Sequence, residues 1–166
     1  MRRFLRKINK NKWFEAGTTS PALEELGADP VGDLATSGGG KLSVWVVEDG
    51  DQNLGRVVCA LASTMSSLQH MSFITFDPEG LVPLGVEYKN NEGDSRDMEA
   101  NCKWHYDLVI PTAIKLVHFA RHLWAQCTPQ IVLQKQLREF MLEAIKAGTI
   151  QRDKLAMKIQ EQLSKQ

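Results

Sequence analysis

The sequence has no apolar stretch approaching the roughly 20 residues that a membrane-spanning helix needs, although 43% of its 166 residues are hydrophobic. It also lacks a Gly-Lys-Ser or Gly-Lys-Thr triplet, which removes the usual closing element of a phosphate-binding loop. Cysteine is sparse. Cys59, Cys102 and Cys127 are odd in number and far apart, which fits reduced thiols in or near a core better than a disulfide framework. There is no internal repeat, no sustained heptad series and no low-complexity tract beyond Gly38-Gly39-Gly40, so solenoid and coiled-coil architectures are not expected. The opening Met1-Arg2-Arg3-Phe4-Leu5-Arg6-Lys7 is basic like a secretory leader, but Asn9, Lys10, Asn11 and Lys12 follow where the leader's apolar segment would stand. A cytoplasmic protein without membrane association is the expectation.

Charge is present and sorted by position. Residues 1–12 hold six basic residues and no acid, residues 13–107 hold five basic and sixteen acidic, and residues 108–166 hold nine basic and four acidic. A formal net charge of zero therefore conceals a polarised chain. Such polarity steers association and selects partners, but it says little about fold.

Turn residues divide the chain. Ser20-Pro21 to Gly27 has the cap, first-turn proline and closing glycine of a short helix, and Ser37 to Gly40 predicts a loop. Lys41 to Glu48 predicts a strand, apolar on both faces in its second half, and Met71 to Phe76 and Val86 to Lys89 predict two more. Leu54, Val57, Val58, Leu61, Met65 and Leu68 recur at helical spacing, so a crossover helix is expected between the first two strands, which would then be parallel. From Met98 to Cys127 the apolar spacing predicts one long helix interrupted at Pro111. A second helix is expected from Thr128-Pro129 to Ala147-Gly148, and a third from Thr149 to Ser164. The fold class expected is α+β: a small mixed β-sheet of three to four strands with one βαβ crossover and a C-terminal layer of about three helices. The chain is expected to form one domain, 1–166, with a basic segment 1–15, a sheet-containing half 16–94, a helical half 95–166 and a contact helix at 149–166.

Four groups of residues carry chemistry in principle. Cys102, His105, His118 and His122 have a finger-like metal spacing, but on one helix the first pair and the second pair face opposite ways, so no metal site is expected there. Asp49, Asp51 and Asp77, with Glu48 and Glu79, lie after two predicted strands, at the sheet edge where hard oxygen ligands hold divalent cations. The ordinary roles of such carboxylates are helix cap for Asp51 and turn residue for Asp77. Arg2, Arg3, Arg6, Lys7, Lys10 and Lys12, flanked by Phe4, Trp13 and Phe14, are candidates for nucleic-acid contact, and equally for a solvated edge strand or tail. Cys102 to Asp107 (Cys-Lys-Trp-His-Tyr-Asp) places a thiol near a histidine without a third group or an oxyanion site.

No catalytic residue, metal or cofactor is assigned from the sequence. The expected function is a non-enzymatic, protein-binding accessory subunit acting with a larger partner, or with further copies of itself, in a microbial cytoplasmic system. Its contact element would be the last helix, with Leu155, Ile159 and Leu163 as an apolar stripe beside Arg152 and Lys158. The alternative is a small metal-dependent phosphotransfer or nuclease-like enzyme using the acidic edge. The third is a nucleic-acid-binding regulator using the basic N-terminus.

Overall fold

A computed structural model describes residues 2–9, 28–35 and 39–165, with the side chains of 28–30 excepted. The helix expected over 20–27, the first half of the 37–40 loop, Lys10 and Lys12 lie outside the described residues. Strands are β1 (Arg3–Ile8), β2 (Lys41–Val47), β3 (Met71–Phe76), β4 (Glu87–Asn90), β5 (His105–Val109) and β6 (Gln130–Val132). Helices are α1 (Ala28–Asp33), α2 (Leu54–Ala62), α3 (Met98–Trp104), α4 (Ala113–Gln126), α5 (Gln134–Lys146) and α6 (Met157–Ser164). The α+β class is as expected, but the sheet has six strands in the order β4-β5-β2-β1-β3-β6, and every neighbouring pair is antiparallel rather than mixed.

The basic N-terminal segment supplies the largest departure. β1 is a central strand inserted between β2 and β3, with Phe4 opposite both Val46 and Phe76, and Leu5 opposite Trp45 and Thr75. Both of its faces are covered: Phe4, Leu5 and Ile8 are almost wholly enclosed, and Arg3, Arg6 and Lys7 are partly buried around them. β2 and β3 do run parallel to one another, as expected from the helix between them, but β1 separates them.

A second crossover joins β5 to β6 through α4. Each pair of strands is parallel in direction, the two pairs run opposite ways, and both connections step along the sheet in the same sense. Right-handed crossovers then place α2 and α4 on opposite faces. The contacts agree. α4 covers the Phe4 face, where Phe119 meets Phe76 edge-on at 5.6 Å and Phe76 meets Phe4 at 5.8 Å. On the other face α2 packs against α5, with the Cys59 and Met141 sulfurs 3.5 Å apart and the Phe140 ring over Gly55. The expected C-terminal layer is thus split between the two faces of the sheet.

The long helix expected from Met98 is three elements. Asp97 caps α3 by accepting from the Ala100 N–H at 3.0 Å. The chain then turns extended at His105, because His-Tyr-Asp-Leu-Val also satisfies a two-residue period and Tyr and Val favour a pleated surface. Pro111 keeps Ile110 extended, and Thr112 caps α4 through the Lys115 N–H at 3.3 Å. α2 stops at Ala62 rather than Leu68, since the Ser63 and Thr64 hydroxyls turn back onto the Ala60 and Leu61 carbonyls at 2.6 and 2.9 Å. α5 ends where expected: Gly148, at φ 75°, donates to Ile145 O, and the Thr149 N–H reaches Ala144 O at 3.0 Å, which closes the last turn.

Candidate functional site

The two acidic segments do emerge at one sheet edge, after β2 and β3, but the start of β1 stands between them and brings Arg3 into an ion pair with Asp51. Asp51 does not cap α2. It lies in a single 3-10 turn, Asp49–Asp51, at φ 57°, and the turn is tied down by Asn53, whose amide donates to Val46 O at 3.0 Å and accepts from the Glu48 N–H at 2.8 Å. Asp77 precedes the 3-10 turn Pro78–Leu84, where its carbonyl accepts from the Gly80 N–H, so its expected turn role stands. Asp49, Asp51 and Asp77 are all exposed, and among the described residues no group of three or more His, Cys, Asp or Glu side chains is placed to hold a metal ion.

A cavity of about 440 Å³ opens at this edge, lined by Arg3, Asp77, Glu79, His122 and Cys127 among others. Gly80 makes room for the His122 ring: a Cβ there would stand 2.5 Å from Nε2. Burial holds the His122 imidazole below its ordinary range, so it is neutral at neutral pH. The Cys127 thiol is pushed up to about 12, first by burial and then by Asp77, and burial likewise pushes the Cys59 thiol up to about 12. Neither is an activated nucleophile.

The four finger-spaced residues are separated by the sheet. His118 and His122 belong to α4 on the Phe4 face, whereas His105 packs edge-on against Trp45 at 5.2 Å on the other face, and Cys102 is exposed on α3. His105 is committed within the fold. Its Nδ1 faces Asn91 O at 2.9 Å, an atom that only accepts, so Nδ1 carries the hydrogen and Nε2 accepts from the Ser43 hydroxyl at 2.6 Å. Ser43 carried no signal in the sequence, because its partner lies across the sheet on β5.

The basic N-terminal residues are largely spent inside the molecule. Arg3 pairs with Asp51, and Arg6 donates to Ser43 O and Asp33 O, each at 2.9 Å. Burial lowers the Arg6 pKa, with Asp33 opposing it, and lowers that of Lys7 with Arg6 adding to the effect. Of the residues singled out for nucleic-acid contact, Arg2 is the exposed one among those described.

The stripe expected to meet a partner is also interior. Leu155, Ile159 and Leu163 retain only 4%, 0% and 4% of their exposure, so the contact role expected of them is corrected: they pack into this chain's own core. Gln162 holds both the Leu68 N–H (2.7 Å) and the Leu68 carbonyl (3.0 Å), and Arg138 donates to the terminal carbonyls of Gln162 (3.2 Å) and Leu163. Arg152 turns onto Gln160 O at 3.1 Å and the Ser164 hydroxyl, and Lys158 is exposed.

The apolar surface left outside lies elsewhere. Among the described residues β6 ends the sheet, and Ile131 and Leu133 are 57% and 52% exposed beside it. The opposite edge strand, β4, carries Glu87 and Lys89 on a fully exposed run. Charges of that kind discourage strand addition, and β6 has none. Among the described residues no helix is long and apolar enough to cross a membrane. Comparison with protein-family models, with curated proteins and with solved structures finds no match.

Proposed function

We propose that the protein is a non-enzymatic, protein-binding accessory subunit that adds an extended segment of an acidic partner to its sheet at β6. One observation carries this reading: of the two sheet edges, β4 is guarded by charge, and β6 is uncharged with Ile131 and Leu133 standing free. Strand addition supplies main-chain hydrogen bonds for affinity, and exposed apolar side chains beside the strand supply specificity. Asp77 and Glu79 share a cavity with Gln130 at the start of the strand, but the stretch of chain that carries β6 itself favours an acidic partner. No acid occurs between Gln126 and Arg138, and Lys135 is exposed one turn beyond the strand. A second copy paired antiparallel on this edge would set Lys135 beside the other copy's uncharged run from Cys127 to Val132, which offers it no counter-charge, so a different, acidic chain fits better. The buried, protonated thiols of Cys59 and Cys127 and the internally satisfied His105 favour binding over catalysis.

The test is purification from the native source of the wild type and of an Ile131→Lys, Leu133→Lys variant, with amide exchange measured on the wild-type complex. Both positions are exposed, so the variant should melt as the wild type does. The expected result is loss of the co-purifying acidic protein from the variant and slowed exchange at Gln130 to Val132 in the complex. Retention of the partner by the variant, or unchanged exchange at those amides, overturns the assignment.

A further inference from the structure

On the far side of α2 from the sheet edge just described, two hollows meet. The larger, about 530 Å³, is lined by Arg56, Arg96, Asp97, Glu99, Gln151 and Lys154 among others. The smaller, about 280 Å³, shares Arg56 and Thr149 with it and is lined by Gly55, Cys59, Phe140 and Ala144, with Gln52, the exposed Glu143 and Ala147 at its mouth.

Charge in the larger hollow is unevenly satisfied. Arg56 donates to both oxygens of Asp97, at 2.6 and 2.8 Å, and to Glu99 at 2.9 Å, with its guanidinium carbon 5.2 Å from the centre of the Trp104 ring. The Asp97 hydrogen bond raises the Arg56 pKa further, so it is a permanent cation. Asp97 also accepts from the Ala100 N–H, and the second oxygen of Glu99 accepts from Lys103 at 2.6 Å. Both acids are therefore consumed within the fold. Arg96 and Lys154 are exposed at the same hollow, and no carboxylate pairs with either among the described residues. The result is a rigid, neutralised wall with two uncompensated cations on its rim, next to an apolar recess.

We propose that this double hollow binds a peptide segment in which a carboxylate side chain sits next to an apolar one, the carboxylate between Arg96 and Lys154 and the apolar group on Phe140 and Ala144. The chemistry disfavours nucleic acid: Glu92 and Asp94 are exposed on the stretch of chain leading into the hollow and would repel a long polyphosphate. Two exposed cations suit one or two singly charged carboxylates, whereas a phosphate group is usually held by several donors, backbone N–H groups included. The adjoining recess gives the segment its second anchor. This site is separate from β6 and stands or falls independently of the strand-addition reading.

The test uses the full chain and a fluorescein-labelled eight-residue peptide containing Leu-Asp-Glu, its Leu-Asn-Gln counterpart and inorganic phosphate as competitor. The acidic peptide should bind at low salt, weaken as salt rises, and shift the amide signals of Arg96, Thr149 and Lys154. Arg96→Glu with Lys154→Glu should weaken binding by about tenfold or more without changing the melting temperature, since both side chains are exposed. Ala147→Phe at the mouth of the recess should weaken the Leu-Asp-Glu peptide and leave the salt dependence unchanged. Ile131→Lys should leave peptide binding as it is. Equal binding of the neutral peptide, unchanged binding after charge reversal, or full displacement by millimolar phosphate overturns the proposal.

Discussion

Asn53 does at the residue scale what the sequence pattern assigns to Asp51. A carboxylate before an amphipathic run is an ordinary helix cap, but here the amide of Asn53, both donor and acceptor, bridges Val46 O and the Glu48 N–H and so fastens the end of β2 to the start of α2. Asn53→Ala takes a partner from the buried Val46 carbonyl and the part-buried Glu48 N–H and should cost about 1–3 kcal/mol in denaturant unfolding. Asp51→Ala, which removes a partly exposed ion pair, should cost about 0–1 kcal/mol. The reverse order of the two values would restore Asp51 as the cap. His122 gives a pH prediction with a definite sign. Its folded pKa lies below the ordinary value, so in the window beneath about 6.5 the unfolded chain takes up the proton first. Its contribution is complete above that value and is lost as pH falls through the window. His122→Gln should flatten the decline of melting temperature between pH 7 and pH 5, and an unaltered slope would contradict the burial of the ring. Single residues such as Asn53 and Ser43 could not be singled out beforehand, because each owes its role to a partner on another element.

Elements were readable where one periodicity had no rival. β2, β3, β4 and the glycine stop of α5 lie close to their expected positions, α2 starts as expected although it ends early, and α5 begins at Gln134 rather than at Thr128 because β6 takes up the stretch before it. β5 was hidden because His105 to Val109 satisfies both a helical stripe and a two-residue alternation, and only pairing with β2 and β4 decides between them. β6 was hidden because three residues carry no usable period. The last helix is the instructive error. Its few apolar residues suggested an exposed stripe, yet a narrow stripe is enough when it closes the far side of α5, and Arg138 and Gln162 then fix it in place. Ile159→Ala should therefore cost about 2–5 kcal/mol, whereas Met157→Ala, at an exposed position, should stay within about 0.5 kcal/mol. Truncation after Gly148 removes Ile150, Leu155, Ile159 and Leu163 together, each fully buried side chain being worth about 1.5–3 kcal/mol. That sum rivals the about 5–15 kcal/mol that holds a domain together. The shortened protein should lose its cooperative melt by circular dichroism, and a stable, folded truncation would return the helix to the role of a detachable contact element.

At the scale of the whole molecule, the architecture depends on the strand that comes first in the chain. β2 and β3 are held apart by one strand width, and β1 supplies that strand, with antiparallel partners on both sides. This arrangement could not be seen in residues 1–12, where six basic residues point to nucleic-acid contact or to a solvated edge strand or tail. Burial of Phe4, Leu5 and Ile8 outweighs the cost of the charges between them, because Arg3 reaches Asp51 and Arg6 reaches two main-chain carbonyls. The pairing also links sequence positions far apart, which places this protein among slower-folding topologies. Deleting residues 1–9 should leave a chain with helical signal but no cooperative unfolding transition, and a synthetic peptide of residues 1–9 added in excess should restore the transition. Leu5→Asp within that peptide should abolish rescue by burying an unpaired charge, whereas Arg3→Gln, which gives up only a partly exposed ion pair, should retain it. A cooperative melt of the shortened chain without peptide would show that β2 and β3 can close directly on one another as parallel neighbours, and that β1 is an addition to the sheet rather than its centre.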